Sequence, residues 1–205
     1  MKKLLLAYDG SPGADAAMSD LAWAGLPPEM EALVFSVADV WLPSNPESPG
    51  EVALPGATPA AILKARQEAL QAVQSCLALA RNAAERLRTL HPGWKVEAGS
   101  TGDSPAWAVI RRADEWRADL VVAGSHGRSA LERLFLGSVS QKIAAEAHCS
   151  VRIVRSGRVP RPGRLRIMVA VDGSRDAEAA LTEVASRIWP DFSEFRVVAV
   201  LDARL

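Results

Sequence analysis

The sequence predicts a doubly wound α/β fold, a parallel sheet covered on both faces by helices, and three observations predict it. Short apolar runs of strand length alternate along the 205 residues with segments of helical composition. Gly, Pro, Asp and Ser punctuate the changes from one to the other. The opening pattern also recurs near the end, where Arg166–Leu181 aligns without a gap on Lys3–Met18.

Taken in order, Leu4–Tyr8 is a continuous apolar run, followed by the turn Asp9-Gly10-Ser11 and by Pro12, a residue suited to a first helical turn. The helix it opens extends to about Ala24 and is broken at Gly25-Leu26-Pro27-Pro28. Ala32–Ala38 then reads as a buried parallel strand, completing a βαβ unit. Val40–Ala57 is rich in Pro, Ser and Gly without periodicity, which predicts a surface loop. Thr58-Pro59 is an N-cap and first-turn pair, and the Ala, Leu and Glu content from there to about Leu90 argues one long helix, stopped by His91-Pro92-Gly93. A short strand over Trp94–Ala98, a helix from Ser104-Pro105 through Trp116, and a strand over Asp119–Ala123 come next. A helix from Gly137-Ser138 to about Ala147 and a fifth strand, Val151–Val154, close the first domain, residues 1–156. Residues 157–164 form an Arg-, Pro- and Gly-rich linker, and 165–205 a partial second repeat of β-α-β only. The alignment puts Asp172 on Asp9, Gly173 on Gly10, Ser174 on Ser11 and Val200 on Val37. Such a short unit needs a host surface, and the apolar strands Ile167–Val171 and Val197–Leu201 are the surfaces it would offer to the first domain or to a second chain.

Composition narrows the function classes. Apolar residues make up 49% and charged residues 23%, too charged throughout for a membrane span. Met1–Ala7 imitates the start of a signal peptide, but Asp9 and Gly10 end the apolar run early. Lys plus Arg and Asp plus Glu stand at 24 each, so no global field recruits nucleic acid or an anionic membrane. Cys76 and Cys149 lie far apart without metal-ligand spacing and read as packing residues, which fits a reducing cytoplasm.

In a doubly wound sheet, ligands bind beyond the carboxyl ends of the strands where the winding reverses. After the fourth strand the chain reads Gly124-Ser125-His126-Gly127, then nine residues, then Gly137-Ser138 at a helix start. Glycines at 124 and 127 allow positive φ and close backbone approach, and Gly137 and Ser138 would present N–H groups at the positive helix end. Phosphate is the ligand that suits this arrangement, although the same glycines also serve a tight turn. Asp9 is placed to accept from a ribose hydroxyl or to cap the next helix, and Val37 to wall an adenine ring or fill a buried strand. Neither a G-x-x-x-x-G-K-[S/T] loop nor a G-x-G-x-x-G motif is present, so motor ATPase and dinucleotide chemistry are unsupported. Arg128 and Arg133 could neutralise phosphate or belong to a solvated face. His126 is the sole general-base candidate, and no acidic residue is positioned by sequence to orient it. The six Trp residues share no spacing that would make a stacking platform.

Three stretches together resemble the universal stress protein family: Ala7-Tyr8-Asp9-Gly10-Ser11, Val121 through Ser129, and Leu136 through Val154. The resemblance spans residues 1 to about 156 and includes the family's G-x2-G-x9-G-[S/T] motif at Gly124, Gly127, Gly137 and Ser138. It implies a five-stranded parallel sheet of the adenine nucleotide α-hydrolase-like type and the ATP-binding branch. By that resemblance Asp9 and Val37, with Ala7 beside them, hold the ribose and adenine ends. Gly124, His126, Gly127, Arg128, Gly137, Ser138 and Val139 lie at the phosphates, with Mg²⁺ or Mn²⁺ accompanying ATP. It further implies a homodimer through the fifth strand. The function expected is a nucleotide-dependent stress or signalling sensor rather than an enzyme. A slow Mg-dependent ATPase and a nucleotide-free dimerisation scaffold are the alternatives. The chain departs from the family in its long Pro-rich loop over 40–57 and in the second copy, where Asp172 has no glycine motif of its own.

Overall fold

The structure, a computed structural model, describes residues 2–41, 58–125, 136–155 and 165–199. They form two compact units, one of 1–18 and 28–156, the other of 19–27 and 157–205.

The first unit contains β1 (Lys3–Ala7), most of α1 (Pro12–Asp20), β2 (Glu31–Ala38), α2 (Pro59–Leu90), β3 (Lys95–Gly102), α3 (Pro105–Trp116), β4 (Leu120–Gly124), α4 (Ser138–Glu146) and β5 (Ser150–Val154). All five strands are parallel, in the order β3-β2-β1-β4-β5. The winding therefore reverses between β1 and β4, where open α/β sheets leave a crevice at their carboxyl edge. β1 is central, and Leu4, Leu5 and Leu6 are fully buried because both of its faces are covered. On one face Leu5, Leu33 and Phe35 pack with Val109, Ile110, Val121 and Ile143. α2 packs on β2 and β3 and buries a stripe of alanines, Ala80, Ala83 and Ala84, together with Leu87.

Element boundaries follow local chemistry. The Thr58 side chain accepts the Ala61 N–H and Pro59 opens α2, which ends at His91 ahead of Pro92. Arg117, in the left-handed region at φ 54°, closes α3. Two elements differ from their sequence reading. α1 stops at Asp20 and continues as a 3-10 turn, Leu21–Trp23. β3 starts one residue after Trp94, which instead stacks on His91 at 4.0 Å, and runs on to Gly102. Gly99 to Gly102 carry no apolar alternation, yet each pairs with β2, from Gly99↔Phe35 to Gly102↔Ala38.

The second unit repeats the opening motif as β6 (Arg166–Val171), α5 (Arg175–Ala185) and β7 (Glu194–Ala199). Its register is that of the first copy: Lys3 faces Glu31 in β1–β2, and Arg166 faces Glu194 in β6–β7. The turn is repeated too. Gly10 and Gly173 adopt φ 77° and 81°, a conformation open to glycine at no steric penalty. Asp9 and Asp172 accept from the Ser11 and Ser174 N–H groups, and those serines accept from Ala14 and Ala177. The unit also takes in 19–27, whose Ala24 and Gly25 carbonyls accept from the Arg187 guanidinium and the Ile188 N–H at 3.1 and 3.0 Å.

Candidate functional site

The carboxyl edge of the five-stranded sheet gathers the ends of β1, β2 and β4 beside the starts of α1 and α4. Ala7 ends β1, Asp9 lies two residues further on, Val37 is next to last in β2, and Gly124 ends β4. Ala7, Asp9, Val37 and Gly124 are half-buried, while Val139, in the first turn of α4, is exposed. Thus seven of the residues singled out, Ala7, Asp9, Val37, Gly124, Gly137, Ser138 and Val139, sit in segments that meet at this edge or open α4. His126, Gly127, Arg128 and Arg133 lie outside the described residues, as do 42–57 and Val200.

Two expectations are corrected. Gly124 is extended strand rather than a positive-φ turn, and its need for glycine comes from α1: an added Cβ would sit 2.5 Å from the Gly13 carbonyl carbon. Gly137 does not offer its N–H to a ligand, because that group donates to the Ser125 carbonyl at 2.7 Å. What remains at the helix end are the first-turn N–H groups that an α-helix leaves without intrahelical partners. Gly137 itself is the N-cap of α4, with ψ at 153°.

The glycine segment is held shut at its base. Ser125 donates its N–H to the Val154 carbonyl at 2.7 Å and accepts from Gly137, and the buried Ser140 hydroxyl donates to the Gly124 carbonyl at 2.6 Å. The two ends of the segment, Gly124-Ser125 and Gly137-Ser140, are therefore tied together whatever its tip does. The Asp9 carboxylate accepts the Ser11 N–H at 3.0 Å and so shapes the turn, while α1 is capped by the Ser11 hydroxyl, which accepts the Ala14 N–H at 3.1 Å.

A set of side chains that the sequence did not single out stands behind Asp9. The Tyr8 hydroxyl donates to Asp15 at 2.7 Å, and the Arg86 guanidinium, from α2, donates to both Tyr8 and Asp15 at 3.0 and 2.9 Å. Burial pushes the Tyr8 phenol above its ordinary value, and the Tyr8 hydroxyl, followed by Arg86, holds Asp15 below the usual carboxylate range. Buried Ser36 donates its hydroxyl to the Tyr8 carbonyl at 2.6 Å. Nothing in the spacing of residues 8, 15, 36 and 86 signals that they meet.

A model of the universal stress protein family matches residues 1–155. The chain belongs to that family. A universal stress protein of Mycobacterium tuberculosis is 29% identical over 184 residues, covering 86% of this chain and 56% of that protein. The chain thus spans about half the length of such relatives. One from Thermus aquaticus is 51% identical over 51 residues, 25% of this chain and 37% of that one. Among solved structures, a universal stress protein from Archaeoglobus fulgidus superposes with a TM-score of 0.55 at 19% identity, over 99% of this chain and 67% of that one. UspA from Lactobacillus plantarum gives 0.50 at 23%, over 75% and 97%. At those identities the likeness establishes the fold.

Other features of this universal stress protein bear on its chemistry. Among the described residues no group of three or more His, Cys, Asp or Glu could hold a metal, and no helix is long and apolar enough to cross a membrane. Neither Cys76 nor Cys149 is in a disulfide, and burial pushes Cys149 up, away from reactivity. A groove between α3 and α4 is lined by Trp107, Asp114 and His148 among others, and His148 pairs there with Asp114 at 3.1 Å.

Proposed function

We propose that the first unit binds ATP at the carboxyl edge of its sheet and acts as a nucleotide-dependent stress or signalling sensor. The observation that carries this reading is the coincidence of the family's glycine motif with the point where the winding reverses: β4 leads into it beside β1, and α4 opens where it ends. Asp9, already oriented through the Ser11 N–H, receives a ribose hydroxyl; Val37 and Ala7 border the base and sugar. The segment from Gly124 through His126, Gly127 and Arg128, with Ser138 and Val139, faces the phosphates. Gly137 serves as the N-cap that aims those first-turn N–H groups. A Mg²⁺ or Mn²⁺ ion is held mainly through the phosphates.

Ligand binding at this edge changes the surface offered to a partner. β5, at the edge of the sheet order, is the strand through which two copies pair, in a cytoplasmic homodimer.

Calorimetry with ATP and Mg²⁺ on the wild type beside Gly127→Val and Gly137→Val tests the reading. Saturable binding, lost in the variants and without phosphate release over hours, is the expected result. Metal-dependent phosphate release would assign a slow ATPase instead. No binding by the wild type would leave a nucleotide-free scaffold.

A further inference from the structure

We propose that Tyr8, Ser36, Asp15 and Arg86 form a positioning brace for the ribose end of the nucleotide site, fixing the angle at which Asp9 meets a ribose hydroxyl; this rests on the ATP reading above. Tyr8 is the residue before Asp9, and all of its polar groups are committed. Its N–H donates to the Phe35 carbonyl at 3.0 Å, its carbonyl accepts from the Ser36 hydroxyl at 2.6 Å, and its hydroxyl bridges Asp15 and Arg86. These bonds reach three elements, β2, α1 and α2, so the peptide leading into Asp9 has little freedom to rotate. Ser36 also adjoins Val37, which locks the ribose-side and base-side residues to one another. Ser36 and Tyr8 are 1% and 5% exposed, so water does not compete for the bond from the Ser36 hydroxyl to the Tyr8 carbonyl.

The second repeat supplies the internal control. It makes the same turn, the same serine cap and the same strand register around Asp172. At the positions of Tyr8, Asp15 and Ser36 it carries Val171, Glu178 and Ala199. The β-α-β motif therefore forms without the brace, and the brace belongs to the first copy alone. A group that contributes nothing the turn requires, yet immobilises the residue before Asp9, acts on the site.

The test is calorimetry on the full chain with the Mg²⁺ complexes of ATP, 2′-deoxy-ATP and 3′-deoxy-ATP, for the wild type, Tyr8→Phe and Ser36→Ala. A hydroxyl held by a carboxylate gives the wild type on the order of tenfold preference for ATP over one of the deoxy analogues. Both variants bring that ratio down to about two. The ratio is taken on one protein sample, so partial unfolding does not move it. Arg86→Met, on the outer side of the brace, is the further variant and lowers the ratio less. Variants that keep the wild-type ratio, or a wild type that binds ATP without preferring it to either analogue, would overturn the brace alone. A wild type that binds no ATP would remove the nucleotide reading as well.

Discussion

β1–α1–β2 and β6–α5–β7 are one pattern folded twice, with matched register, matched turns and far less burial in the second copy. Leu5 is 0% exposed, whereas Met168 at the same place in the second copy is 70% exposed; Val34 and Val197 stand at 0% and 59%. The turn and cap hydrogen bonds therefore follow from the local sequence, whereas core formation depends on what covers the strands. In the first copy β3 and β4 flank the pair and α2 and α3 pack on β2; in the second, α5 packs on β6. The contrast extends to chemistry. Asp172 sits in a turn equivalent to that of Asp9, and in the proposed site that turn acts together with β4 and α4, which lie beside Asp9 in the first unit.

The sharpest way to break this comparison is truncation in each copy. Leu5→Ala should destabilise the first unit by about 3 kcal/mol, while Met168→Ala should change stability by less than about 0.5 kcal/mol, both read from urea unfolding. Similar losses at the two positions would mean that the second copy is covered in solution. Gly124→Ala comes next: its Cβ would meet the Gly13 backbone, and overpacking of this kind costs about 1–3 kcal/mol. Gly173→Ala meets nothing within 4 Å and should lose only the ~1 kcal/mol of placing alanine at φ 81°.

Acid titration probes the brace. Because Asp15 is held below its ordinary value, its contribution is present above the unfolded carboxylate value near 3.8 and is lost as pH falls through the lower folded value. Wild-type stability should therefore fall across that window more steeply than that of Asp15→Asn, followed by circular dichroism; the partly exposed pair keeps the difference modest. The smallest effect is expected at Val197→Thr, within about 0.5 kcal/mol. Amide exchange should agree with it: β7 should exchange through local opening, and β1 only through global unfolding.

Much of this architecture was legible because its signals are local. Thr58-Pro59 and His91-Pro92 bounded α2 to the residue, and the repeat of Asp9-Gly10-Ser11 at Asp172-Gly173-Ser174 foretold a turn that recurs bond for bond. What escaped depends on contacts between distant segments. Gly99–Gly102 looks like a loop until β2 lies beside it. Gly124 reads as a turn glycine until the backbone of α1 is seen against it, and the Gly137 N–H reads as free until Ser125 is seen to accept it. The brace was invisible for the same reason, since Tyr8 and Arg86 are brought together only by α2 packing on the sheet.

The central claim, that one of two equivalent turns binds nucleotide, is tested most directly by following backbone amide NMR shifts during titration with ATP and Mg²⁺. Saturating shifts at Asp9–Ser11, Val37, Gly124 and Ser138-Val139, with Asp172–Ser174 unmoved, are the predicted result. Shifts of equal size at both turns, or none at the first, would contradict it.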